Sequence, residues 1–156
     1  MTSTVYFETI DTPIGEMTLT SDGDFLTDVR PGNRRPAEGV RDPQTLSDAM
    51  AQFLAYFAGE LTKFDLPIRQ PGTPFQQRVW AELMKIPYGE TISYAELAER
   101  VQKPGAARAV GSANGRNNLG VVVPCHRVIA ADGTLGGYGW GLPVKEWLLT
   151  HERNHG

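Results

Sequence analysis

Gln70-Pro71-Gly72 separates two kinds of periodicity, and no single regular element accommodates both. Ahead of it, short segments alternate in the two-residue period of strands, joined by one helix-patterned stretch. Behind it, apolar residues recur every three or four positions, the period of a helix. The sequence therefore predicts an α+β chain with a boundary near residue 70, dividing 1–70 from 71–156.

In the first part, Val5–Ile10, Glu16–Thr20 and Phe25–Arg30 read as three short strands. They are joined through Thr12-Pro13-Ile14-Gly15 and through Ser21-Asp22-Gly23-Asp24, where Asp-Gly is a strong hairpin signal. Pro31-Gly32-Asn33-Arg34-Arg35-Pro36 reads as an exposed loop with solvated charge. Thr45–Ala58 is predicted to be helical, with Leu46, Met50, Phe53, Leu54 and Phe57 inward and Gly59 as its stop. Thr62–Ile68 is predicted to return as a further strand.

In the second part, Thr73-Pro74-Phe75-Gln76 combines an N-cap threonine, a proline at the first helical position and a glutamine placed to close a capping box. The helix should run to about Lys85, with Phe75, Val79 and Leu83 inward. Ser93-Tyr94-Ala95-Glu96 is a second box, opening a helix that buries Leu97, Ala98 and Val101. Lys103-Pro104-Gly105 turns the chain, and Ala106–Asn114 reads as the next helix. Two short helices around a glycine-containing turn fit a helix-turn-helix and equally fit any compact helical pair. The second of them shows Ala106, Ala107, Ala109, Gly111, Ser112 and Ala113 with a single long side chain, Arg108. Such a surface suits either close helix packing or entry into a minor groove only ~6 Å wide. Val121–Val123 reads as an apolar strand, Gly133–Gly141 as a glycine-rich loop, and a final helix begins near Pro143. Its inner stripe is Val144, Trp147, Leu148 and His151, with Glu152 beside it, and a carboxylate so placed needs a partner.

At 156 residues and 40% hydrophobic, the chain suits one ordinary domain or two small ones. No apolar run approaches the ~20 residues that span a bilayer. The N-terminus lacks a secretory layout, so a cytoplasmic protein with no membrane partner is expected. The net charge of −3 conceals a division, because residues 71–127 hold seven basic and four acidic side chains. A local basic field is what meets phosphates.

The single cysteine, Cys125, excludes an internal disulfide and a two-thiol redox relay. With His126, His151 and His155 as the remaining soft ligands, no metal is expected. Cys125 is either a small buried hydrophobe or a nucleophile. A free thiol has a pKa of ~8.5 and needs a base or a positive field to react near neutrality. His126 and Glu152 are placed to supply a Cys-His-acid arrangement, with a water bridging thiol and imidazole if the two side chains point apart.

Pro124-Cys125-His126-Arg127-Val128 is preceded by Arg108-Ala109-Val110-Gly111 and Asn117. It is followed by Gly136-Gly137-Tyr138 and by Lys145–Glu152. Together these motifs closely resemble the O6-alkylguanine-DNA alkyltransferase family over about residues 73–153, with a looser match ahead of them around Tyr56–Glu60. The resemblance implies a ribonuclease H-like N-terminal domain of sheet plus helix and a mainly helical C-terminal domain with a winged-helix-like helix-turn-helix. It implies that Cys125 takes an alkyl group from guanine O6, and from thymine O4, in one irreversible event without a cofactor. His126 then serves as base through water, Glu152 orients it, Asn117 orders the pocket and Tyr94 donates to guanine N3. The carbonyls of Cys125 and Val128 recognise the exocyclic amine, Tyr138 lines the alkyl pocket, and Gly139, Trp140 and Lys145 border it. Arg108 fills the space left by a flipped nucleotide. Ser93, Ala106, Ala107, Gly111, Ser112 and Arg116 complete the DNA-facing set. The implied partner is double-stranded DNA carrying O6-alkylguanine, bound by a monomer with scope for cooperativity. Asn118 departs from the proline common at that position, Trp140 adds a bulky ring, and the zinc-binding cysteines of some relatives are absent. A non-catalytic lesion-binding module and a cysteine hydrolase are the alternatives. The first needs no thiol, and the second leaves the basic helix pair unexplained.

Overall fold

The computed structural model describes residues 4–155. The chain forms two compact units, Met1–Gln70 and Pro71–Gly156.

In the first unit, β1 (Tyr6–Thr12), β2 (Gly15–Ser21) and β3 (Leu26–Pro31) form an antiparallel meander. Gly15, the first residue of β2, leaves the turn at φ 105°, in the left-handed region that favours glycine. A two-residue strand, β4 (Val40–Arg41), adds in parallel to the other edge of β1, giving the order β3-β2-β1-β4. β2 departs from simple alternation because Met17 to Ser21 are all buried. The loop after β3 covers its second face: the Thr18 hydroxyl donates to the Gly32 carbonyl at 2.7 Å and accepts from the Arg34 amide at 2.8 Å.

Helix α1 (Ser47–Phe57) buries Ala49, Phe53, Tyr56 and Phe57. Leu54, expected inward, is 48% exposed, and Tyr56 takes the inner place. Phe53 and Tyr56 meet Phe64 with ring centroids 4.9 and 5.5 Å apart. The strand expected over 62–68 does not form. Only a single bridge joins Leu26 to Ile68, with Pro67 accepting from the Leu26 amide. Proline lacks the N–H that would continue a ladder.

In the second unit, α2 (Pro74–Leu83) opens with the full capping box: Thr73 accepts from the Gln76 amide, and the Gln76 side chain accepts from the Thr73 amide. Trp80 joins Val79 and Leu83 on its buried face, while Phe75 is half-buried. The strand pair β5 (Ile92–Ser93) and β6 (Val128–Ile129) is parallel and was not legible in the sequence. Helix α3 (Tyr94–Arg100) has half of its expected box. The Ser93 hydroxyl accepts from the Glu96 amide at 3.0 Å, but the Glu96 carboxylate pairs with Arg100 at 2.7 Å. Helix α4 (Ala107–Gly115) packs on α2 and α3, and the Trp80 indole donates to the Ala113 carbonyl at 3.0 Å.

The apolar strand expected at Val121–Val123 is instead a buried turn. Val121 has φ 73°, a left-handed conformation uncommon for a β-branched residue, and the Val123 amide bonds back to Leu119. Burial of the three valines, at 1%, 5% and 1% exposure, outweighs their preference for a ladder. A 3-10 turn at Cys125–Arg127 leads into β6, and α5 (Leu142–Asn154) closes the chain. Its most buried residues are Lys145, Leu148, His151 and Glu152, while Val144 and Trp147 are only half-buried.

Candidate functional site

The 3-10 turn sets Cys125 at the wall of a cavity of about 310 Å³. Tyr94 from the start of α3, Asn114 from α4, Asn117 and Trp140 line it, as does Tyr138 of the glycine-rich loop. Gly111 and Gly139, two of the small residues named from sequence, border the same space. Trp140 contacts Tyr138 edge to face with centroids 5.9 Å apart, and its other side lies on Gly120. A Cβ at Gly120 would fall 2.6 Å from that indole, so the ring's seat depends on glycine there.

His126 is fully buried. Its Nε2 lies 2.7 Å from Glu152 Oε2, and its Nδ1 has no hydrogen-bond partner among the described residues. Glu152 also accepts from Arg127, through Nε at 2.8 Å and Nη2 at 3.0 Å, while Arg127 Nη1 donates to the Ile86 carbonyl. Burial works to raise the Glu152 carboxyl, but the hydrogen bonds and charges of His126 and Arg127 override it and hold the pKa far below the usual carboxylate range. Burial is also the main reason that the His126 pKa is lowered. The imidazole is therefore neutral near pH 7, with its proton on Nε2 toward the carboxylate. This leaves Nδ1 with a free lone pair, the form a general base requires.

Burial raises the Cys125 thiol, against the Asn117 hydrogen bond, the Lys145 charge and the Tyr138 hydroxyl, all of which favour the thiolate. The resting group is thus a protected thiol. No direct hydrogen bond joins it to His126 among the described residues, so proton transfer between them calls for a bridging water. Tyr94 is raised mainly by burial and then by the neighbouring Cys125, which keeps its phenol a donor.

Lys145, expected to border the alkyl pocket, is not among the residues that line the cavity. It is fully buried, and Nζ donates to the carbonyls of Val128 at 2.6 Å, Leu135 at 2.5 Å and Gly137 at 3.2 Å. Burial lowers its pKa to about 8. One ammonium thereby ties the glycine-rich loop to the strand that follows Cys125. Its place was signalled by spacing, since 145, 148 and 152 share one face of α5. Arg127 lay inside the Pro124–Val128 motif without an assigned role. Asn114 was signalled by its position after Val110 and Ala113 on the inner face of α4.

Asn117 donates from Nδ2 to the Val123 carbonyl at 2.9 Å and accepts from the Leu119 amide at 3.0 Å, which shapes the valine turn. Arg108, Ser112 and Arg116 stand exposed on and just after α4, with Ala106 and Ala107 half-buried at its start. Ser93 is half-buried, its hydroxyl engaged as the α3 cap. These positions lie outside the cavity wall.

Residues 74–154 match the family model described as the DNA-binding domain of 6-O-methylguanine DNA methyltransferase, and residues 5–70 match its ribonuclease-like domain. The chain belongs to the 6-O-methylguanine DNA methyltransferase family. Among its relatives, the methylated-DNA–protein-cysteine methyltransferase of Mycobacterium bovis is 50% identical over 96% of this chain and 93% of its own length. That of Methanosarcina barkeri is 44% identical over 97% and 99%. The crystal structure of Mycobacterium tuberculosis OGT in complex with DNA superposes with a TM-score of 0.91 at 50% identity, covering 96% of this chain and 94% of that one. Family membership carries the coarse activity with it: this is a methyltransferase of DNA repair whose acceptor is a protein cysteine.

Proposed function

We propose that the protein reverses alkylation at guanine O6, and at thymine O4, in duplex DNA by one irreversible transfer to Cys125. The observation that carries this reading is the thiol at the wall of a cavity, backed by a neutral imidazole that a carboxylate orients. The damaged nucleotide is flipped through the minor groove into the cavity, because its reacting carbon is unreachable inside a duplex. Arg108, exposed on a helix surface of small residues, fills the vacated stack.

In the chemical step, the thiol proton passes through water to His126 Nδ1 as Sγ attacks the alkyl carbon. The S–C bond forms, the C–O6 bond breaks, and its electron pair remains on the guanine, which is finally protonated. The Tyr94 hydroxyl donates to guanine N3 and offsets the charge of the leaving base. The Cys125 and Val128 carbonyls accept from the exocyclic amine, and Tyr138, Gly139 and Trp140 surround the alkyl group. The product thioether has no leaving group that water can displace, so each molecule acts once.

Incubation with a duplex containing O6-methylguanine, followed by intact-mass measurement and peptide mapping, tests the reading. One added methyl on Cys125 per protein is expected. Tight lesion binding with no added mass would leave a binding module, and repeated turnover on acyl esters without DNA would leave a hydrolase.

A further inference from the structure

Arg127 is only 7% exposed, an uncommon place for a guanidinium. Its fork spans the Glu152 carboxylate, with Nε on Oε1 at 2.8 Å and Nη2 on Oε2 at 3.0 Å, while Nη1 donates to the Ile86 carbonyl at 2.7 Å. Its Cζ lies over the Tyr88 ring, 5.7 Å from the centroid. A bidentate pair of this kind fixes a carboxylate in rotation as well as in place. Oε2 is thereby held 2.7 Å from His126 Nε2.

This geometry sets a charge problem. A buried carboxylate beside an imidazole, with no other cation to answer it, draws a proton onto the ring. The resulting imidazolium has no lone pair and cannot take up a thiol proton. Arg127 supplies the counter-charge instead. Burial first, and then the charges of Arg127 and Lys145, lower the His126 pKa against the pull of Glu152. Of these, Glu152 and Lys145 face the ring from α5. The turn before β5 brings Tyr88, a phenol whose pKa is raised by burial, and the Cys125 thiol is neutral at rest. Helix α2, also packed on the 3-10 turn, carries an exposed Arg78 and a Glu82 that pairs with Lys85 at 3.0 Å.

We propose that Arg127 is a positioning residue of the proton relay: its fork fixes Glu152 with Oε2 toward His126, and its charge balances that carboxylate so that the imidazole remains an uncharged acceptor. The proposal rests on the alkyl-acceptor reading and deepens it, by assigning the group that keeps the base in its working form. Glu152 orients the ring, and Arg127 prevents the orienting anion from charging it. A methionine in its place fills much of the same space but leaves the carboxylate to find its counter-charge on His126.

His126 is titrated by NMR of its imidazole nitrogens in unreacted protein, and single-turnover transfer from a duplex carrying O6-methylguanine is followed over the same pH range. In Arg127→Met, the His126 titration and the acid limb of the rate should both move to higher pH, so that transfer falls more near pH 6 than near pH 8. The same substitution on the Glu152→Gln background removes both charges of the pair, which a buried site tolerates better than the loss of one. There it should raise the His126 titration relative to Glu152→Gln alone, and this comparison decides the matter if Arg127→Met does not fold. A His126 titration that stays in place or moves down, or a uniform slowing at every pH, overturns the role of Arg127. Absence of methyl on wild-type Cys125 overturns the alkyl-acceptor reading instead, and the NMR titrations separate the two failures because they need no transfer.

Discussion

Glu152 serves two side chains at once, His126 and Arg127, and this sharing sets the protonation state of the group beside Cys125. His126 and Arg127 keep the carboxyl ionised, and the carboxylate in turn directs the His126 proton to Nε2. In Glu152→Gln, Arg127 is left as a buried guanidinium without its anion, an arrangement that costs about 3–5 kcal/mol when one partner of a buried pair is removed. Thermal or urea denaturation should show that loss. The pH dependence has a definite sign. The folded pKa of Glu152 is depressed, so its contribution is fully present above the unfolded value of about 4.3 and is lost as pH falls toward the folded one. His126 is likewise depressed, so the acid limb of the transfer rate should lie below the ordinary histidine value of about 6.5. Glu152 raises the His126 pKa against the effect of burial. Its replacement by glutamine should move that limb to still lower pH as well as slow transfer. A pH-rate profile on the surviving folded protein checks both.

At the scale of elements, α5 acts on the site through Lys145. An ammonium has three N–H donors for the three carbonyls of Val128, Leu135 and Gly137, whereas a neutral amine has two. Since the pKa of Lys145 is lowered to about 8, deprotonation above that value removes both one donor and the positive charge that favours the Cys125 thiolate. Lys145→Met should free the loop of residues 133–141. Limited proteolysis should then cut within it faster than in wild type, with DNA-dependent transfer falling in parallel. An unchanged cleavage rate would mean that the loop is held by other contacts. Helices α2 and α3 show how far local rules reach. The Thr73 box formed in full because both partners lie within one turn, but Glu96 of the second box was drawn away by Arg100, an equally local competitor four residues on.

For the whole molecule, net charge is a poor guide to partners, because the acidic excess lies in residues 1–70 and the basic excess in 71–127. Arg108 and Arg116 stand exposed within the basic segment. If Arg116 contacts a phosphate, Arg116→Ala should weaken binding uniformly across DNA sequences and reduce the slope of log K against log salt by about one. Binding titrations at several salt concentrations measure that slope. An unaltered slope would remove Arg116 from the contact set.

The sequence by itself determined the elements whose causes are local: the β1-β2-β3 meander from its alternation and turns, and the starts of α2 and α3 from their caps. Tertiary structure decided what depends on partners distant in the chain. Val121–Val123 has the composition of a strand, yet it lies in a turn because burial and the Asn117 bonds hold it there. The parallel pairing of β5 with β6 joins segments that no local pattern relates. Arg127 and Asn114 look like a motif filler and a helix-end polar residue in sequence, and Lys145 was placed only at the border of the alkyl pocket. Their roles appear only when folding supplies the carbonyls and the carboxylate they serve. Buried polar groups must find partners, and those partners are set by the fold rather than by chain order.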